Sequence, residues 1–420
     1  MNRSNEIVAG ITTFLASAYI VVVNPGILSA AGMPFPAVVT ATVLVTAFSS
    51  VMMGLYAKNP ILIAPGMGLN AFFTYSVVVG MGVTWQTALG AVFISGIIFI
   101  CLSIFNIREQ IVKAIPKPLR FAVTAGIGLF ITLIGVTKAG FTVPGSGTIM
   151  TFGGVNTSVL VFVVGLFLTA VLVVLRVKGA FLLGILLTTL VSIPVSNMLG
   201  AKAMVRWEGF IAMPDFSLFW AMDVVSAMQL SIWPVIFAFL FTDMFDSLST
   251  FVGVAEAGDL LDSEGEPMQL RESLIVDGLA TMLSGIFGTS PGTSYIESAA
   301  GIQAGGRTGL TAIVAGLLFL PLMFFAPLLS LIPDVAIAPV LVLVGLFMIA
   351  PIEKINWSQM EEAIPAFLAM VLIPYTYSIT QGLIWGFLAW TAMQIVVGKG
   401  RVLPKALLVI DILAVFALLI

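Results

Sequence analysis

The sequence predicts an all-α polytopic membrane protein of fourteen transmembrane segments, built as two inverted repeats of seven. Three observations carry that prediction: apolar runs of spanning length, a one-sided distribution of basic residues, and Pro-Gly breaks at matching places in the two halves. Of 420 residues, 60% are hydrophobic and 9% charged, whereas a soluble domain carries roughly 25% charge. The runs reach about 20 residues, the length a helix needs to cross a bilayer, and they lack the period-2 alternation of a membrane barrel. A net charge of −3 is too small to point to nucleic acid. With no histidine and no clustered metal-ligating pattern, neither a metal nor a cofactor is expected. The single cysteine, Cys101, cannot form an internal disulfide and reads as core filler in its apolar run. The first run begins at Ile7 and outlasts any signal-peptide core, so no cleavable signal is expected.

Taken in order, the runs fall at about 7–30, 35–57, 61–80, 84–105, 118–138, 157–176 and 179–198. After the more polar interval Gly200–Ser226 a second set follows at about 228–254, 269–287, 289–304, 307–331, 335–352, 362–380 and 382–398. A final stretch, Ala406–Ile420, is short, carries Asp411, and suits either a span or an interfacial helix. With the N-terminus cytoplasmic, fourteen basic residues face the cytoplasm: Arg3, Lys58, Arg108, Lys113, Lys117, Arg120, Arg176, Lys178, Arg271, Arg307, Lys354, Lys399, Arg401 and Lys405. Only Lys138, Lys202 and Arg206 fall on the other side. That asymmetry obeys the positive-inside rule and predicts a multi-pass protein of the cytoplasmic (inner) membrane.

Seven is odd, so the second set enters the bilayer with the opposite orientation, which is an inverted repeat. Ala64-Pro65-Gly66 opens the third segment and Ser290-Pro291-Gly292 the tenth, with a weaker echo between Leu89-Gly90-Ala91 and Leu310-Thr311-Ala312. Each Pro-Gly pair follows a few residues that favour extended backbone, Ile61–Ile63 and Ile286–Thr289, and precedes a short helix-compatible run. Proline lacks the amide donor and glycine permits helix-ending conformations. A simple kink is the bland alternative, but a kink need not recur at the equivalent place. Paired half-helices at matching repeat positions mark a transporter's binding site.

Just past the breaks stand Asn70 and Glu297. Free amides at helix starts carry partial positive charge. Asn70 adds a donor and an acceptor, and an ionised Glu297 only accepts. Together they suit a planar polar ligand with N–H donors and ring acceptors. Glu297 alone also fits a charge that stabilises its own helix start. The eighth segment carries Asp243, Asp246 and Thr250 at i, i+3 and i+7, hence on one helix face. A carboxylate inside a bilayer costs about 2.5–3.5 kcal/mol on insertion scales and is a functional site by default. The alternative ends the membrane segment near Phe241 and puts both aspartates among headgroups. Carboxylates crowded near Glu297 hold protons a lone one sheds, so proton coupling needs no histidine. Asp277, following Arg271 and Glu272, reads as a helix-start or interdomain residue, and Glu256–Glu266 as a solvated connector.

The stretches EIVAGITTFLASAYIVVVNPGIL (6–28), FTDMFDSLSTFVGVAEAGDLLD (241–262) and GTSPGTSYIESAAGIQAGGRTGLTA (288–312) resemble the AzgA-type purine permeases of the nucleobase:cation symporter-2 family. The resemblance runs from Glu6 to about Gly398, and YIESAAG followed by GGRTGLTA is its most specific part. It implies a core domain of segments 1–4 and 8–11 (residues 1–106 and 227–332) and a gate domain of segments 5–7 and 12–14 (residues 107–226 and 333–420). It places the family's acidic residue of the eighth segment on Asp246, with Thr250 closing that pattern, its tenth-segment glutamate on Glu297 and its third-segment asparagine on Asn70. Asp243 becomes a support or proton-relay residue. Ser247 and Ser249 depart from the family's usual Thr and Gly, and the chain starts directly before the first segment. Similar proteins pair into dimers through their gate domains.

The expected function is proton-coupled uptake of hypoxanthine, guanine or adenine, driven by a proton gradient. Asp246 and Glu297 accept from purine N–H groups, Asn70 meets a ring nitrogen or carbonyl, and Phe72, Phe73 or Tyr295 flank the ring. An anion carrier is the second reading, since half-helix starts favour anions. Two site carboxylates argue against it. An intramembrane aspartyl enzyme needs two carboxyls about 3 Å apart, which aspartates at i, i+3 rarely achieve, so no catalytic residue is assigned.

Overall fold

The computed structural model describes residues 3–105, 115–198, 209–258, 260, 267–400 and 403–419. Among these residues ten helical spans are long and apolar enough to cross a membrane, so the chain is a multi-pass membrane protein. The first half comprises α1 (Arg3–Ser17), α2 (Ile20–Leu28), α3 (Phe35–Met52), β1 (Ile63–Pro65), α4 (Met67–Ala71), α5 (Trp85–Ile104), α6 (Lys117–Lys138), the hairpin of β2 (Thr142–Val143) and β3 (Thr151–Phe152), α7 (Thr157–Val174) and α8 (Ala180–Met198). The second comprises α9 (Trp233–Gly258), α10 (Leu270–Phe287), β4 (Gly292–Ser294), α11 (Ser298–Gln303), α12 (Gly309–Phe319), α13 (Asp334–Ile349), α14 (Met360–Thr376), α15 (Ile379–Val396) and α16 (Lys405–Leu419). The expected ninth and thirteenth segments, α10 and α14, are helical without matching those ten, and the third and tenth are broken. The count of fourteen crossings therefore rests on the sequence.

Local sequence sets the boundaries. Thr84, Asn156 and Ser378 cap α5, α7 and α15 by accepting backbone amides two or three residues inside the helix. Pro36 and Pro118 lie in the first turns of α3 and α6, where no amide donor is required. Gly288 stops α10 at φ 91°, a conformation open to a residue without Cβ. The helices pack in two groups. In one, α10 lies on α5 and α3, and α12 on α1 and α3; in the other, α13 and α14 lie on α6, α15 on α14, and α7 and α8 on each other and on α13. Gly54 and Gly309 bring their backbones so close that a Cβ on either would strike the other's carbonyl, which is how helices pack without a hydrophobic force between them.

The two broken segments meet at the centre of the first group. β1 and β4 pair antiparallel, with Ile63 opposite Ser294, Ala64 opposite Thr293 and Pro65 opposite Gly292. The Gly66 amide donates to the Pro291 carbonyl at 2.9 Å, so the two Pro-Gly pairs face each other about a local two-fold axis. That is the inverted repeat in atomic form. Backbone polar groups away from water need partners, and this crossing supplies them. Ser50 Oγ accepts from Ile63 N at 3.0 Å and donates to Ile63 O at 3.1 Å. Ser298 Oγ accepts from Leu62 N at 3.0 Å, and Tyr295 N donates to Leu62 O at 2.9 Å.

Some expectations are corrected. Cys101 is exposed on α5 and is not core filler; an apolar run cannot by itself separate a lipid-facing side from a packed one. The helix after the third break becomes a π-helix over Phe72–Gly80, a form common at functional sites. The helix after the tenth break begins at Ser298, one residue past Glu297. Arg108, Lys113, Lys202, Arg206, Arg401, the Ser249 side chain and positions 259 and 261–266 of the acidic connector lie outside the described residues.

Candidate functional site

Helix α9 continues from Trp233 through Thr250 to Gly258, so its aspartates stand midway along a helix of spanning length and not past its end, which disfavours the headgroup reading. It packs against α4, α5, α11 and β4, which brings its polar face to the crossing. The two aspartates differ sharply. Asp243 is 1% exposed; it accepts from Thr281 Oγ1 at 2.5 Å and stands 3.5 Å from Ser247 Oγ. It ties α9 to α10. Asp246, one turn on, is half-buried. It receives the Thr293 hydroxyl of β4 and lies in electrostatic range of Asp277 and Glu297. Thr250, a further turn along, is buried.

Glu297, also half-buried, accepts a hydrogen bond from the Tyr19 hydroxyl at 2.5 Å. Tyr295 sits in electrostatic range of both Glu297 and Asp246, but its hydroxyl donates to the Pro65 carbonyl at 2.5 Å and so braces the crossing. Asn70 is wholly buried. Its amide nitrogen donates to Asn24 Oδ1 at 3.2 Å, while its own Oδ1 has no hydrogen-bond partner among the described residues. A buried carbonyl oxygen left in that state is costly. Phe72 is 1% exposed and meets Phe239 of α9 edge-on at 4.9 Å between centroids. Phe73, also buried, lies against the same ring at 6.4 Å.

Three residues of this region escape the sequence reading. Asn24 holds Asn70: it donates to Thr42 Oγ1 and Thr289 Oγ1 at 2.8 Å each, and accepts from Ser290 Oγ at 3.1 Å. Tyr19 anchors Glu297. Asp277, read as a helix-start or interdomain residue, is instead fully buried in α10; it accepts from Ser294 Oγ at 3.0 Å and from Ser247 Oγ. The departure Ser247 therefore serves this contact, linking Asp277 to Thr293 Oγ1 at 2.9 Å. Among the described residues no group of three His, Cys, Asp or Glu is arranged to hold a metal. The arrangement presents two half-buried acidic residues, an amide oxygen without a partner among the described residues and a paired crossing of broken segments, deep in the helices. Among the described residues, such a constellation can accept hydrogen bonds from a small polar molecule.

Comparison with known proteins agrees. Residues 4–385 match the model of a permease family. The chain belongs to that family. It is a transport protein and not an enzyme. It is 39% identical over 411 residues to the adenine permease AdeP of Escherichia coli strain K12, covering 97% of this chain and 91% of that one. It is 40% identical over 417 residues to the guanine/hypoxanthine permease PbuO of Bacillus subtilis strain 168, covering 97% and 95%. Among solved structures, the transmembrane domain of the cyanobacterial bicarbonate transporter BicA superposes with a TM-score of 0.69 at 16% identity, over 91% of this chain and 97% of that one. At that identity the likeness concerns the fold alone.

Proposed function

We propose that this permease imports purine bases (hypoxanthine, guanine or adenine) across the cytoplasmic membrane, N-terminus inside, coupled to protons and by alternating access. One observation carries the reading: of the two aspartates on α9, Asp243 is buried and Asp246 only half-buried, and Asp246 lies in electrostatic range of the half-buried Glu297. The base lies between the third and tenth segments. Its ring N–H groups donate to Asp246 and Glu297, and the unsatisfied Oδ1 of Asn70 accepts a further N–H, while Phe72 and Tyr295 border the ring. A carboxyl group that gains a proton on one side and loses it on the other couples the flows, with Asp246 and Glu297 as carriers and Asp243 in support. The names of the relatives, permeases of adenine and of guanine/hypoxanthine, favour purines. The helix group around the crossing acts as the core and the group around α6 and α13 as the gate, through which two copies pair. The fold shared with a bicarbonate transporter keeps an anion carrier as the competing reading; two acceptor-only carboxylates in the site disfavour it.

The test is proton-driven uptake of labelled hypoxanthine into proteoliposomes. Glu297→Gln or Asp246→Asn should each lower it about 100-fold or more, because a site built for hydrogen bonds rejects a ligand whose groups go unpaired. Undiminished uptake by either variant refutes the assignment.

A further inference from the structure

Segment 1 does more than scaffold the site. Its helix is interrupted by a turn at Ala18–Tyr19, and Tyr19 is 1% exposed there. The hydroxyl end of this side chain holds Glu297 Oε1 at 2.5 Å. The ring meets Phe181, the second residue of α8, edge-on at 5.2 Å between centroids. Phe181 in turn touches Phe347 of α13 at 5.9 Å. One side chain thus joins a site carboxylate to the other helix group.

The contact is not isolated. Thr12, Leu15 and Tyr19 stand at i, i+3 and i+7, one stripe along segment 1. The start of the seventh segment lies against that stripe. Lys178 Nζ is 3.4 Å from Thr12 Oγ1. Gly179, at φ +73°, approaches so closely that a Cβ there would stand 3.0 Å from the Leu15 carbonyl. Phe181 then covers Tyr19. Of these three contacts, only the last reaches the site.

We infer that Tyr19 is a positioning residue that holds the Glu297 carboxylate in place and seals it behind Phe181, so that parting of the first and seventh segments is the movement that opens the Glu297 side of the site. This rests on the purine reading above. The ring and the hydroxyl have separable tasks. The hydroxyl fixes where Glu297 points, hence affinity; the ring contact sets how readily the seam opens, hence turnover. A merely structural tyrosine would show no such division.

The experiment uses the full-length protein, with equilibrium binding of hypoxanthine in detergent and uptake in proteoliposomes. Tyr19→Phe keeps the ring and deletes a hydrogen bond to a charged group, worth about tenfold or more in an equilibrium constant. Its Kd and KM should both rise by about that factor, with kcat within about twofold of wild type. Phe181→Leu should leave Kd within about twofold and change kcat at least about fivefold. Because it leaves both ends of the Tyr19–Glu297 bond intact, Phe181→Leu also carries the test if Tyr19→Phe fails to fold. Unchanged Kd in Tyr19→Phe, or a Phe181→Leu protein that loses affinity while keeping kcat, overturns the inference alone. Wild-type protein that binds no purine base overturns the functional reading, and the inference with it.

Discussion

Asn24 offers the sharpest mutational test of how the site is held. Its side chain has two donors and two acceptor positions, and all four are engaged: by Thr42 and Thr289 at 2.8 Å, Ser290 at 3.1 Å and Asn70 at 3.2 Å. Asn24→Leu keeps the volume and deletes the four bonds. Interhelical hydrogen bonds inside membranes average about 0.6 kcal/mol each, so the variant loses about 2–3 kcal/mol. Thr42 softens the loss, since its hydroxyl keeps a bond to the Val38 carbonyl at 2.7 Å. The melting midpoint of the purified protein should fall by a few degrees. Asn70, released from its anchor, should raise the KM for hypoxanthine about fivefold to tenfold. Wild-type midpoint and KM together would refute the network argument. A lower midpoint with an unchanged KM would leave Asn24 structural and remove Asn70 from the site.

Other perturbations separate scaffold from site. Ser50→Ala strands both the amide and the carbonyl of Ile63 and should destabilise by about 1–3 kcal/mol in thermal denaturation. Asp277→Asn disturbs the contacts from Ser294 and Ser247; the same assay should show a loss of about 1–3 kcal/mol. Lys138 Nζ binds both Asp334 Oδ1 at 2.6 Å and the Gly26 carbonyl at 2.9 Å, bridging the two helix groups at the rim of a cavity of about 620 Å³ that Ser29 also lines. With Asp334 largely exposed, Lys138→Met should cost less than about 1 kcal/mol. It should nevertheless speed labelling of a Ser29→Cys reporter by an impermeant maleimide in a Cys101→Ser background.

Much of this arrangement is legible in the sequence because its cause is local. A Pro-Gly pair favours a break without forcing one, since Pro25-Gly26 lies inside α2; two such pairs in corresponding places of the repeats mark the breaks that β1 and β4 bring together. Aspartates at i, i+3 share a face whatever surrounds them. Which one stays less buried is a tertiary matter, set by Thr281 drawing Asp243 into the α9–α10 contact. Tyr19 and Asn24 leave no such trace. Each is a lone polar side chain in an apolar run, and each reaches a partner far along the chain, Glu297 at 278 positions from Tyr19 and Thr289 at 265 from Asn24. Asp277 misleads for a different reason: the two charged residues ahead of it mark the true start of α10, but Asp277 lies further in, where its contacts come from β4 and α9. The exposure of Cys101 is equally silent, since lipid-facing and packed positions share one chemistry.

The central claim is that this permease moves purine bases with protons through Asp246 and Glu297. Uptake of labelled hypoxanthine into proteoliposomes under an inward proton gradient tests it most directly, with adenine, guanine, xanthine and uracil as competitors and with or without a protonophore. The account predicts accumulation that one or more purines suppress, that uracil leaves intact, and that the protonophore collapses. Accumulation indifferent to the protonophore, or chloride or sulfate flux without any uptake of base, would contradict it.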